Sequence, residues 1–168
     1  MTKNILVEQS KIQGKGVFTV KDFKRGDIIL DIDDTRVVKD FSQLSKQDQD
    51  HCDYLGDKTV LMQSPEKYIN HSCDPNTYVK TIKGIRRVIA LRNIRKGEEI
   101  TYDYAINGYY ESQDPCHCGA KNCRRVINCD FFQLPKQLQL KYLPYLDDWF
   151  TQKFTDKIQK LTHEHLLN

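Results

Sequence analysis

A chain of 168 residues with 39% hydrophobic and 29% charged residues and a formal charge of +3 is sized for one soluble domain with a proper core. No run approaches the roughly 20 apolar residues of a membrane span, and the opening "MTKNILVEQS" lacks the basic-then-apolar order of a secretory signal. A soluble intracellular protein is expected, with nucleus, cytoplasm and secreted effector all open; the mild charge permits an acidic partner and marks no nucleic-acid stripe.

Short strands are expected at 4–8, 16–20, 28–38, 58–63, 77–83, 85–91 and 99–103, with Gly84 turning a hairpin. Two stretches align without gaps, "VKDFKRGDII" (20–29) and "LRNIRKGEEI" (91–100). Each reads as a strand end, a polar turn around Gly26 or Gly97 where positive φ costs least, and a returning strand. One strand-turn-strand corner is used twice, too few copies for a solenoid. Between them, "SQLSKQDQDH" (42–51) reads as a polar surface helix capped by Ser42. From about residue 134 the character turns helical. Pro135 and Pro144 start or break helices, and Phe150, Phe154, Ile158 and Leu161 mark one apolar helix face. Many small strands, a cysteine cluster and a helical tail describe a mainly β domain with helices, a β-rich α+β class.

The six cysteines are 52, 73, 116, 118, 123 and 129, and an intracellular chain argues against disulfides. "CHCGAKNC" (116–123) can wrap three thiolates around one ion, and tetrahedral structural zinc asks for a fourth ligand. Candidates are His117, which would crowd the same turn, Cys129, Cys52, His71 and Cys73. Cys73 is favoured because its turn-rich segment is open to approach, with Cys129 second; the bland alternative is a set of buried thiols. A Cys73–His71 nucleophilic pair is disfavoured on the expectation that the extended segment turns the two side chains to different faces.

Four segments in order, "GKGVF" (14–18), "YINHSCDPN" (68–76), "RKGEEITYDY" (95–104) and "CHCGAKNC", resemble the SET-domain protein lysine methyltransferases with a post-SET motif. The resemblance covers roughly residues 10–125. It implies a knotted arrangement of small sheets in which 70–76 passes beneath the strand ending at 104. It divides the chain into a SET domain (1–112), a post-SET-like zinc segment (113–127) and a C-terminal helical extension (128–168) packing on the domain.

The resemblance also implies roles. Lys15, Gly16, Val17, Lys67, Tyr68, Asn70, His71 and His117 would lie at S-adenosylmethionine. Tyr104 would be the catalytic tyrosine, itself beside the cofactor, and Tyr102 would tune the product towards mono- or dimethyl-lysine. Cys73, Cys116, Cys118 and Cys123 would hold one structural zinc ion. The implied partner is a protein presenting a lysine, a histone tail or another basic protein, and Glu98, Glu99, Glu111 and Asp114 are candidate acidic residues at the channel mouth or ordinary solvated charges. The alternative is a catalytically silent SET-like module that binds a peptide.

Overall fold

The computed structural model describes residues 3–166, so the outermost ends of the expected first and last segments lie outside the described residues. Twelve short strands make four small sheets among the described residues. In chain order they are β1 (Ile5–Gln9), β2 (Lys15–Thr19), β3 (Ile28–Asp31), β4 (Val37–Val38), β5 (Cys52–Leu55), β6 (Lys58–Leu61), β7 (Asn70–His71), β8 (Thr77–Ile82), β9 (Ile85–Ala90), β10 (Glu99–Tyr102), β11 (Asp114–Pro115) and β12 (Val126–Ile127). Four α-helices accompany them, α1 (Lys46–Gln49), α2 (Lys136–Tyr142), α3 (Asp148–Lys153) and α4 (Thr155–Leu166).

The sheet that positions the site runs β1-β2-β10-β7. β2 pairs antiparallel with β1 and β10, whereas β10 and β7 are parallel, Thr101 opposite Asn70 and Tyr102 opposite His71. So short a parallel pair needs side-chain support. Asn76 supplies it: its Oδ1 accepts from Thr101 N at 2.8 Å and its Nδ2 donates to Glu99 O at 2.8 Å. Thr77 Oγ1, on a fully buried residue, donates to Thr101 O at 2.9 Å. Residues 70–77 are therefore stitched along the strand that leads to Tyr104.

A core of Val17, Phe23, Ile29, Ile69, Val88, Ile94 and Ile100 fills the space between the sheets. The paired corners meet there. Phe23 and Ile94 exchange backbone hydrogen bonds of 2.8 and 2.9 Å. Gly26 and Gly97 adopt φ of 90° and 81°, the left-handed turn that the repeated pattern requires.

Three expectations are corrected. The strand over 28–38 is two strands in different sheets, because Asp33 Oδ1 accepts from both Thr35 N and Thr35 Oγ1 and turns the chain between them. The helix over 42–51 is a 3₁₀ turn at Phe41–Gln43 followed by α1, capped by Asp40 and Ser45, while Ser42 donates its hydroxyl to Asp40. β5 (Cys52–Leu55) follows at once, where no strand was expected. The apolar face of the tail is shared by α3 and α4, since Phe154 leaves helical geometry at φ −116°, ψ 30°. Its four residues still converge, with Phe131, Tyr142 and Leu146, on Ala105 and Ile106 just after Tyr104.

Candidate active site and metal centre

β10 ends at Tyr102, and the next turn carries Tyr104, which therefore stands where the central sheet gives way to the tail. Its hydroxyl donates to Ile69 O at 2.9 Å and its backbone N–H to His71 Nδ1 at 3.2 Å. Two cavities touch this side chain. One is lined by Tyr54, Tyr102, Tyr104, Tyr110, Asn107 and Trp149, the other by Gln13, Asn70, His71, Tyr104, Cys116 and His117. Tyr104 belongs to both walls. Burial raises its phenol above the ordinary tyrosine range, and that of Tyr102 well above it, so both hydroxyls remain protonated at neutral pH. The rings of Tyr102 and Tyr104 lie 4.9 Å apart.

On the second cavity's side, Asn70 Nδ2 is held by Lys15 O at 3.0 Å, Gln13 O at 3.2 Å and Glu99 Oε1 at 2.8 Å. Glu99 in turn accepts from Ser10. A Cβ on Gly16 would overlap the Glu99 carboxylate, so this buttress dictates the glycine. Val17 is fully buried in the core. The ammonium groups of Lys15 and Lys67 lie 5.3 and 5.1 Å from the Tyr68 ring, outside the lining of the second cavity, and Lys67 instead lines the first.

His71 is 3% exposed, and burial lowers its pKa to about 4 even though Asp103 lies 3.7 Å away. The pair is therefore not an ion pair: Nδ1 accepts from Tyr104 N–H, which leaves the proton on Nε2. That nitrogen sits 3.4 Å from Cys73 Sγ. The expected separation of His71 and Cys73 is overturned, because side chains two apart on an extended segment share a face. Cys73 is 1% exposed, too enclosed to serve as a nucleophile.

The sulfurs of Cys73, Cys116, Cys118 and Cys123 all lie within 4.8 Å of one another, and Cys73 and Cys116 are 3.8 Å apart. A tetrahedron with Zn–S bonds of about 2.3 Å has edges of about 3.8 Å, so four thiols here could hold a metal ion. Burial raises Cys73 and brings Cys116 up to about 11. At Cys118 burial is outweighed by N–H donors of Cys73 and Ala120, which bring it down to about 7. A bound dication would ionise the whole set. Cys129 and Cys52 are buried elsewhere, Cys52 donating to Asp48 O.

Asp103 lies between the two tyrosines in the chain. It is wholly buried and accepts from Arg124 Nη1 and Nη2 at 2.7 and 2.8 Å and from Tyr142 Oη at 3.3 Å. One carboxylate thus joins the β10 end, the cysteine loop and the tail. Nothing in the spacing marked Arg124, whose role depends on a contact from distant chain. Removing one member of a buried pair strands the other, so Arg124→Ala is expected to destabilise the protein by roughly 3 kcal/mol or more, read by urea unfolding. Gly108 was equally unmarked: a Cβ there would strike the backbone of Tyr104 and Cys129.

The four candidate acidic residues each have a partner of their own. Glu98 pairs with Arg92, Glu99 faces Asn70, Glu111 meets Gln133, and Asp114 meets Ser112. The carboxylates that line the Tyr102 cavity are Asp50, Asp53 and Asp147. Asp53 shares Arg86 with Asp34 and Glu66, and burial lifts the Glu66 carboxyl to about 8.

The SET-domain profile matches residues 14–105. The chain belongs to the SET-domain family. It is 32% identical over 141 residues to human histone-lysine N-methyltransferase 2D, covering 74% of this chain and 2% of that protein. To histone-lysine N-methyltransferase ASHH3 of Arabidopsis thaliana it is 31% identical over 140 residues, covering 74% of this chain and 38% of the relative. The chain thus spans only a minor part of these relatives. The methyltransferase domain of human SETMAR shares the fold, with a TM-score of 0.59 at 20% identity over 75% of this chain and 58% of that one. Among the described residues of this SET domain, no helix is long and apolar enough to cross a membrane.

Proposed function

We propose that this SET domain transfers a methyl group from S-adenosylmethionine to a lysine side chain of a basic protein, a histone being the substrate in its relatives' names. The observation that carries the reading is Tyr104, one phenol lining two cavities. The second cavity is the one assigned to the cofactor: a locked Asn70, Gln13 and the His71 backbone line it and offer polar contacts. His117, exposed on the cysteine loop, would close over it. When bound, S-adenosylmethionine supplies an activated methyl on a sulfonium.

The protein's own task is to orient and neutralise the amine. A lysine in water has a pKa of about 10.4 and is almost wholly charged. The aromatic cavity of Tyr54, Tyr102, Tyr104 and Tyr110 disfavours the ammonium by desolvation; the carboxylates of Asp50 and Asp53 at its wall are paired with Lys46 and Arg86. The Tyr104 hydroxyl and Ile69 O, already 2.9 Å apart, place polar atoms where the nitrogen lone pair must be aligned. Carbonyl and phenol oxygens also attract an electron-poor methyl through C–H···O contacts. Incubation with labelled S-adenosylmethionine and a mixture of basic proteins tests the reading. Label in lysine supports it; cofactor binding without transfer to any of them points to the silent module.

Tyr102 bears on the product. Its hydroxyl occupies space beside Tyr104 that a methylated nitrogen needs, so monomethyl-lysine should dominate with some dimethyl. Tyr102→Phe is expected to shift the product towards di- and trimethyl-lysine by mass spectrometry; mostly trimethyl product from the unmodified protein overturns this assignment. The four thiols fit a structural zinc, which leaves no open coordination position and so no part in the chemistry.

A further inference from the structure

The repeated corners form a surface that neither cavity uses. Residues 21–27 and 92–98 contribute Lys21, Lys24, Arg25, Arg92, Arg95 and Lys96, all exposed. The chain folds the two turns onto each other. Phe23 and Ile94 exchange backbone hydrogen bonds, Arg25 N donates to Asn93 Oδ1 at 3.0 Å, and Lys96 N donates to Asp22 Oδ1 at 2.7 Å. Each turn thus caps the other with the same kind of bond, and six cations are carried on one rigid ledge.

The carboxylates within these turns are largely spent on the backbone. Asp22 caps Lys96 N, Asp27 accepts from Lys24 N, and Glu98 accepts from Arg95 N and pairs with Arg92. Among the described residues, Arg92 is the one of the six cations in an ion pair with a carboxylate. Within residues 21–27 and 92–98, six cations against three carboxylates leave an excess of three.

From this juxtaposition we infer that the doubled corner is a docking surface for the phosphate backbone of duplex DNA. Unpaired cations on fixed turns displace condensed counterions from a polyphosphate, a gain that needs no base contact. Single-strand binders add aromatic platforms for bases, and protein interfaces add aromatic anchors. The turns offer neither, since Phe23 and Ile94 are buried beneath them. Neither sequence segment alone suggests this surface; the fold creates it. The inference is independent of the methyl-transfer reading.

Binding of a fluorescein-labelled 20-base-pair duplex, followed by anisotropy over a salt series, tests it. A Kd on the order of 1–10 μM at 50 mM salt is expected, with log K falling against log salt at a slope of about −4 to −5 for five phosphate contacts. The variant Lys24→Ala, Arg95→Ala, Lys96→Ala removes side chains with no hydrogen bond or ion pair of their own. It should weaken binding by roughly tenfold or more and flatten the slope by about 3, at an unchanged melting temperature. A control variant, Lys39→Ala, Lys58→Ala, Lys83→Ala, removes the same charge from elsewhere and should keep both affinity and slope. Absence of duplex binding at 50 mM salt, equal binding by the ledge variant, or equal loss in the control overturns the inference.

Discussion

Tyr104→Phe is expected to lower the single-turnover methylation rate by about 100-fold or more, a loss of the size seen when one preorganised polar group at a reacting centre is deleted. S-adenosylmethionine affinity should change by less than about threefold, because the ring remains and only the oxygen between the cavities is removed. The backbone N–H that fixes His71 is untouched. A split in which the chemical step falls and binding does not marks an interaction made in the transition state. Were Tyr104 only a packing residue, removing the hydroxyl would strand Ile69 O, lower stability and leave the rate of the folded protein near its original value. Single-turnover rates, calorimetric affinity and melting temperature together separate these cases. An unchanged rate ends the assignment of Tyr104.

The parts of this site legible in the sequence were those tied to local chemistry. Three thiols within eight residues announce a common ion, and a tyrosine at the end of a strand preceded by "RKGEEI" carries a recognisable pattern. Gly26 and Gly97 could be placed in turns because the requirement for positive φ is local. What escaped notice depends on contact between distant segments. Arg124 and Asp103 are an ordinary arginine and aspartate until the fold buries them against each other, and Asp50 and Asp53 line the cavity only because α1 is short and β5 begins at Cys52. The repeated corners were visible as a repeat, but their reciprocal capping, and the charge it gathers, required the sheet order. The 28–38 strand failed for a related reason. Its apolar ends suit strands, but Asp33 accepting from Thr35 makes a turn that pattern alone weighs too lightly.

The cysteine cluster is where a second large effect is expected. Cys116→Ser, Cys118→Ser should lower zinc content from one ion per chain to none, abolish methyl transfer by at least about 100-fold, and leave most of the β-signal in circular dichroism. The separation follows from placement. None of the four thiols belongs to either hydrophobic cluster, so both cores can persist without the ion. By contrast, β11 and β12 form a two-stranded ribbon of two residues each, which has little to hold it but the cysteine loop. A structural zinc contributes on the order of 10 kcal/mol of apparent free energy in peptides, ample to order such a loop. The consequence reaches Tyr104 by a short path: Cys73 Sγ contacts His71 Nε2, and His71 Nδ1 accepts from Tyr104 N–H. Once the sulfur cluster is released, the imidazole loses one anchor and the second cavity loses the wall made by Cys116 and His117. Affinity for S-adenosylmethionine should therefore fall along with the rate, unlike in Tyr104→Phe. Chelation of the unmodified protein should give the same double loss and re-addition of zinc should restore it. A metal-free protein with full activity would show that the sulfur cluster has no hold on the site.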